Sequence, residues 1–125
     1  MTAVKVCKRA GLKKMDMAEM HVGRSAFGCT VNAQQREIYV AGGVSDGSLI
    51  SSCERFEHYL NRWTKLPDLN EKKAAASLCV LASRWLYCFG GYIFDQTSGH
   101  FLLNRIEMLS LVGNLEQWIV LNTKL

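Results

Sequence analysis

Residues 26–43 read AFGCTVNAQQREIYVAGG, and residues 74–91 read AAASLCVLASRWLYCFGG. Set side by side at an offset of 48, the two stretches match without a gap. Ala26 meets Ala74, Arg36 meets Arg84, Tyr39 meets Tyr87, and Gly42-Gly43 meets Gly90-Gly91. Apolar character is shared at Val31 and Cys79, Ile38 and Leu86, and Val40 and Cys88. A self-similar period of this length marks a repeated supersecondary unit. The likeness continues downstream. After the first doublet come Cys53-Glu54-Arg55-Phe56 and then Trp63; after the second come Ile106-Glu107-Met108-Leu109 and then Trp118. The tryptophans stand 55 residues apart, and the extra length lies between Gly91 and Glu107 and between Leu109 and Trp118. Insertions confined to connections are what a repeat architecture tolerates.

Each unit reads as four short strands, near 26–31, 37–41, 52–56 and 62–66 in the first and 75–81, 85–89, 105–109 and 117–121 in the second. The cues are β-branched and aromatic runs bounded by polar turns. Asn32-Ala33-Gln34-Gln35 connects strands one and two, Asp46-Gly47-Ser48 is a turn between strands two and three, and Leu60-Asn61 lies between strands three and four. No helical period interrupts this, so an all-β meander is expected.

Composition narrows the function classes. The 125 residues are 49% hydrophobic and carry a net charge of +4. Lys5, Lys8, Arg9, Lys13 and Lys14 crowd the first fourteen positions without an acid, which leaves ten basic against eleven acidic residues in the rest. The excess is therefore a terminal feature. It reads as a solvated edge, with a nucleic-acid or acidic-membrane contact as the less favoured alternative. No apolar run reaches the length of a membrane span, and no apolar stretch follows the basic start as in a secretory signal. Cys7, Cys29, Cys53, Cys79 and Cys88 are odd in number and form no Cys-x-x-Cys pair, so buried thiols in a reducing, cytoplasmic setting are expected rather than disulfides or zinc. His21, His58 and His100 stand far apart without paired ligand spacing. Glu54 and Glu107 fall at matching repeat positions and read as repeat residues rather than as an acid/base pair. No metal site, no cofactor and no catalytic set is expected.

A Gly-Gly doublet closing an apolar strand, followed by an aromatic, six residues and a tryptophan, resembles the kelch motif. The first unit matches closely through Gly42, Gly43, Phe56 and Trp63, with Phe56 where the family usually has tyrosine. The run Trp63-Thr64-Lys65-Leu66-Pro67-Asp68-Leu69 resembles the family's exit from strand four. The second unit keeps Gly90, Gly91 and Trp118, but Leu109 replaces the aromatic and sits two residues too far from the tryptophan. Leu12-Lys13-Lys14-Met15-Asp16-Met17 resembles the Trp63–Leu69 run with its proline deleted. The resemblance implies an all-β fold of kelch-type β-propeller blades: two four-stranded antiparallel blades and an incomplete propeller. The expected division is 1–16, a basic N-terminal segment that ends a preceding blade; 17–70, blade one; and 71–125, blade two. Two blades leave sheet faces uncovered, so either further blades in a parent chain or self-association is expected. The glycines, tryptophans, Phe56 and Leu109 are structural, and Tyr39 and Tyr87 are expected to pack within their blades.

The resemblance also implies a protein-interaction module rather than an enzyme. Relatives of this kind serve as substrate receptors of ubiquitin ligases or as cytoskeletal and assembly scaffolds, with a protein partner. No BTB domain stands in the chain, so the ligase role is unassigned. The alternative is a piece of an enzymatic propeller resembling the galactose-oxidase type, which implies copper held by tyrosine or histidine ligands from several blades. The long connection 92–104 supplies the candidate binding residues Tyr92, Phe94, Asp95, His100 and Phe101, since aromatics on loops of a rigid scaffold favour recognition. The competing reading folds Phe94 and Phe101 back onto the base of their own loop.

Overall fold

A computed structural model describes residues 3–7, 14–95, 97, 99–114 and 116–121. Lys8, Arg9 and Lys13 of the basic cluster lie outside the described residues. Strands β1 (Ala3–Cys7) and β2 (Lys14–Glu19) form an antiparallel pair. Next come β3 (Gly28–Asn32) and β4 (Glu37–Ala41), then a small ribbon of β5 (Val44–Ser45) and β6 (Ser48–Leu49). β7 (Cys53–Glu57), a 3-10 turn at His58–Leu60 and β8 (Arg62–Leu66) complete the first unit. The second unit holds β9 (Ser77–Leu81), β10 (Trp85–Phe89), a ribbon of β11 (Tyr92–Asp95) and β12 (Gly99–Leu102), β13 (Ile106–Ser110) and β14 (Ile119–Leu121). The main sheets are two four-stranded antiparallel meanders, ordered β3-β4-β7-β8 and β9-β10-β13-β14. The connections 44–51 and 92–104, expected as plain loops, are instead built around two-stranded ribbons.

Pairing corrects the ungapped alignment. In the first sheet Gly28 faces Ala41 and Asn32 faces Glu37; in the second Ser77 faces Phe89 and Leu81 faces Trp85. The second strands correspond at an offset of 48, but the first strands correspond at 49. The missing residue lies in the hairpin. Residues 33–36 link β3 to β4, closed by Arg36 N–H donating to Ala33 O, with Arg36 at φ 53°. Only Ala82, Ser83 and Arg84 link β9 to β10. Arg84 N–H donates to Leu81 O, and φ is positive at both Ala82 and Ser83, the arrangement that suits a tightly twisted hairpin. Ala26 therefore matches Ala75, both at positive φ (52° and 56°), and Val31 matches Val80 rather than Cys79. Three successive alanines, Ala74 to Ala76, hid the one-residue slip.

The core lies between the sheets. Tyr39, Ala41 and Cys53 on one face of the first sheet pack with Leu86, Cys88, Leu109 and Trp118 of the second, together with Leu66 and Leu69. Tyr39 is thus an inter-sheet residue, 1% exposed, rather than one packed within its own sheet; its hydroxyl donates to Glu37. On the far face of the first sheet, Val40, Phe56 and Trp63 pack under Met20, with Phe56 and Trp63 centroids 5.2 Å apart.

Each sheet is fastened by the chain segment that precedes it, through the same contacts. Trp63 Nε1 donates to Ala18 O at 2.7 Å, and Trp118 Nε1 donates to Pro67 O at 2.9 Å. Glu54 and Glu107 are fully buried carboxylates. Glu54 accepts the backbone N–H groups of His21 and Val22 and pairs with Arg24 at 2.8 Å. Glu107 accepts the backbone and side-chain N–H of Asn70 and meets Lys73 Nζ at 2.7 Å. His21 Nε2 donates to Trp63 O, as Asn70 Nδ2 does to Trp118 O. These contacts match Ala18 with Pro67, Met20 with Leu69, and Arg24 with Lys73. The N-terminal counterpart of Leu66-Pro67-Asp68-Leu69 is therefore Met17-Ala18-Glu19-Met20, without deletion, and not the run ending at Met17.

The glycine doublets serve the same junction. Gly42 sits at φ 64°, and a Cβ there would stand 2.3 Å from Lys73 O. Gly43, at φ 111°, donates its N–H to that carbonyl at 2.8 Å. Positive φ and a backbone lying in contact both demand glycine. Leu69 N–H to Ser51 O, Lys73 N–H to Ile50 O and Ala75 N–H to Ala26 O continue the seam.

Two substitutions test this seam. Glu54→Ala leaves Arg24 buried and unpaired, and is expected to lower unfolding stability in urea by about 3–5 kcal/mol. Arg62→Ala, which removes an exposed partner of Glu57, is expected to change it by about 0–1 kcal/mol. Equal effects would show that the buried pair carries no special weight. Gly42→Ala is expected to destabilise more than Gly47→Ala, which meets nothing within 4 Å and loses only the positive-φ preference at φ 78°, worth about 1–2 kcal/mol. Similar losses at both positions would remove the argument from Lys73 O.

Candidate functional site

The β11–β12 ribbon stands on a fixed base. Ala74 and Tyr92 exchange both backbone hydrogen bonds, at 3.1 and 2.9 Å, which ties the ribbon's root to the segment linking the sheets. Leu103 N–H donates to Gly91 O at 2.8 Å and closes the other side. The β5–β6 ribbon is rooted in the same way through Ser25 and Val44. Both ribbons therefore rise beside the inter-sheet links.

Register sorts the candidate residues. Tyr92 faces Leu102, Ile93 faces Phe101, Phe94 faces His100, and Asp95 faces Gly99. Alternation puts Tyr92, Phe94, His100 and Leu102 on one ribbon face and Ile93 and Phe101 on the other. His100 lies edge-on to Tyr92 at 5.6 Å and tilted against Phe94 at 5.0 Å, so three of the five named residues form one aromatic cluster. Phe94 is 54% exposed and Phe101 41% exposed. Tyr92, His100, Phe101 and Leu102 line an open cleft of about 390 Å³. The side chain of Asp95 lies outside the described residues. Leu102, 82% exposed, belongs to this surface and was not singled out from sequence. Its signal was the alternation in His100-Phe101-Leu102-Leu103 once a ribbon is assumed.

Chemistry other than binding finds no constellation. Among the described residues no group of three or more His, Cys, Asp or Glu side chains gathers to hold a metal ion. His21 is engaged with Trp63, His58 stacks near Tyr59 at 5.8 Å, and His100 sits in the aromatic cluster, so the three imidazoles share no site. Cys29, Cys53, Cys79 and Cys88 are free thiols. Burial pushes the Cys53 thiol up to about 12 and the Cys88 thiol up to about 11, so neither supplies a thiolate nucleophile at neutral pH. Glu54 and Glu107 are consumed by their buried cations. No helix among the described residues is long and apolar enough to cross a membrane.

Comparison with known proteins agrees with this architecture. The family model for the Kelch motif matches residues 25–70, the span that holds the first sheet and the link leaving it. Kelch-like protein 40 of Mus musculus is 38% identical over 82 residues, covering 66% of this chain and 13% of the relative. Kelch-like protein 40 of Xenopus laevis is 34% identical over 77 residues, covering 62% and 12%. Kelch-like protein 41a of Danio rerio is 30% identical over 81 residues, covering 65% and 13%. The chain thus spans about one eighth of the length of these relatives. With the doublets, the tryptophans and two four-stranded meanders in place, the chain belongs to the kelch-repeat proteins, and its two sheets are blades of the β-propeller kind.

Proposed function

We propose that the chain is a protein-binding part of a kelch-repeat scaffold or substrate-recognition propeller, not a catalyst, and that its contact surface is the β11–β12 ribbon. The observation that supports this reading is a cluster of exposed aromatic and aliphatic side chains (Phe94, His100, Phe101, Leu102) on a ribbon anchored at both ends of its base. Exposed apolar groups on a mobile loop lose ordering entropy when they bind. The same groups on an anchored ribbon lose less, which favours recognition. In this reading residues 17–70 and 71–125 act as two blades that hold the ribbon, and residues 1–16 precede them as the end of another. The partner is a protein, with ligase substrates and cytoskeletal components as the classes the family suggests, met in the reducing cytoplasm where free thiols persist.

The test is affinity capture from cell extract with the chain, with Phe94→Ser/Leu102→Ser, and with Tyr59→Ser/Leu60→Ser in the connection between β7 and β8. Tyr59 and Leu60 are also exposed apolar residues and control for general stickiness. Proteins retained by the chain are expected to fall about tenfold or more with the ribbon variant and to persist with the control. Equal loss in both, or no loss in the ribbon variant with its strand signal intact, would remove the ribbon from the interface.

A further inference from the structure

Packing between the blades is directional. The face of the first blade that carries Tyr39, Ala41 and Cys53 meets the opposite face of the second, which carries Leu86, Cys88 and Leu109. Every blade therefore has a leading face and a receiving face, and the chain uses one of each. The leading face of the second blade and the receiving face of the first remain open among the described residues.

The open leading face is more apolar than its buried counterpart. Cys79, Tyr87, Met108 and Ile119 stand in one row across all four strands, with Leu81 and Trp85 beside it. In the first blade the corresponding row is Thr30, Tyr39, Arg55 and Thr64. Cys79 is exposed, Leu81 is 53% exposed and Ile119 52%, whereas Tyr39 is 1% exposed against the second blade. Four strands of uncharged apolar side chains facing outward mark an interaction surface. The receiving face of the first blade shows the complementary deficit. Val31 is 59% exposed where its counterpart Val80 is half-buried, and Ile38 is half-buried where its counterpart Leu86 is fully buried.

We propose that the open leading face of the second blade docks the receiving face of the first blade in a second copy of this chain, head to tail. The occupant follows from continuity with the interface inside the chain. A leading face there already fits a receiving face, and one copy offers the half that the other lacks. The contact is heterologous, so it propagates until it closes on itself. Propellers of about four to eight blades correspond to rings of two to four copies. A blade supplied by another protein or by further polypeptide is the competing occupant, and it would leave the 125-residue chain without a partner of its own.

The experiment is light-scattering mass of the 125-residue chain over a wide concentration range, with circular dichroism to confirm strand content. The expected mass is about two to four times the 14.1 kDa of one copy. Tyr87→Lys spoils the leading face and Val31→Glu the receiving face, so each alone is expected to be monomeric. Mixed, they are expected to form a one-to-one pair, because one intact contact survives between them. A folded wild-type monomer would overturn the proposal. So would retained association of Val31→Glu, which would mean that two leading faces pair with each other. Should Tyr87→Lys fail to fold, the wild-type mass and Val31→Glu, at a position already exposed, still decide the matter.

Discussion

A carboxylate withdrawn from water in each blade governs the arrangement of this chain. Glu54 and Glu107 sit at the same strand position, fully buried, and a buried carboxylate needs a cation and hydrogen-bond donors. Neither blade supplies them from its own four strands. They come from the segment before the blade: Arg24 with the backbone of His21 and Val22, and Lys73 with Asn70. Once that segment is held by charge, the tryptophan indole reaches its carbonyl and Met20 or Leu69 enters the core. The doublet of the blade behind must then pass against Lys73 O without a side chain. The glycines, the tryptophan and the acid are thus three responses to one requirement, that the link between blades run buried.

The two cations fill the role differently. Arg24 spreads its donors over Glu54, Val22 O, Gly42 O, Ser52 O and Ser52 Oγ. Lys73 meets Glu107 as a point charge outside hydrogen-bond angles. A planar guanidinium can tie the link to the doublet carbonyl and to strand three at once, which an ammonium cannot do in the same geometry. The first blade is accordingly the more fully cross-tied at this corner, and it is also the span that matches the Kelch motif.

Much of this was legible in the sequence because strands and tight turns are local. The β4 and β10 boundaries, the doublets and both tryptophans follow from short-range patterns. What was misread depended on contacts distant in sequence. Arg24 and Glu54 stand thirty residues apart, and nothing near either marks the other as its partner. The alanine run 74–76 let an ungapped alignment absorb a shortened hairpin. Tyr39 looked like a residue of its own blade because its role depends on the next one. The 92–104 ribbon was hidden by an irregular composition, yet its aromatics were visible, and the anchoring of Tyr92 by Ala74 gives them a firm base.

The account stands or falls on whether the link from Leu66 to Ala75 is part of the folded core or a tether between two sheets. Amide hydrogen exchange measures this directly. The N–H groups of Gly43, Leu69, Lys73 and Ala75 and the indole N–H of Trp118 are expected to exchange together with the amides of β4 and β10, as one cooperative unit. Rapid exchange at the link while β4 and β10 stay protected would contradict the account, and would mean that each blade holds together without the charge and carbonyl its neighbour provides.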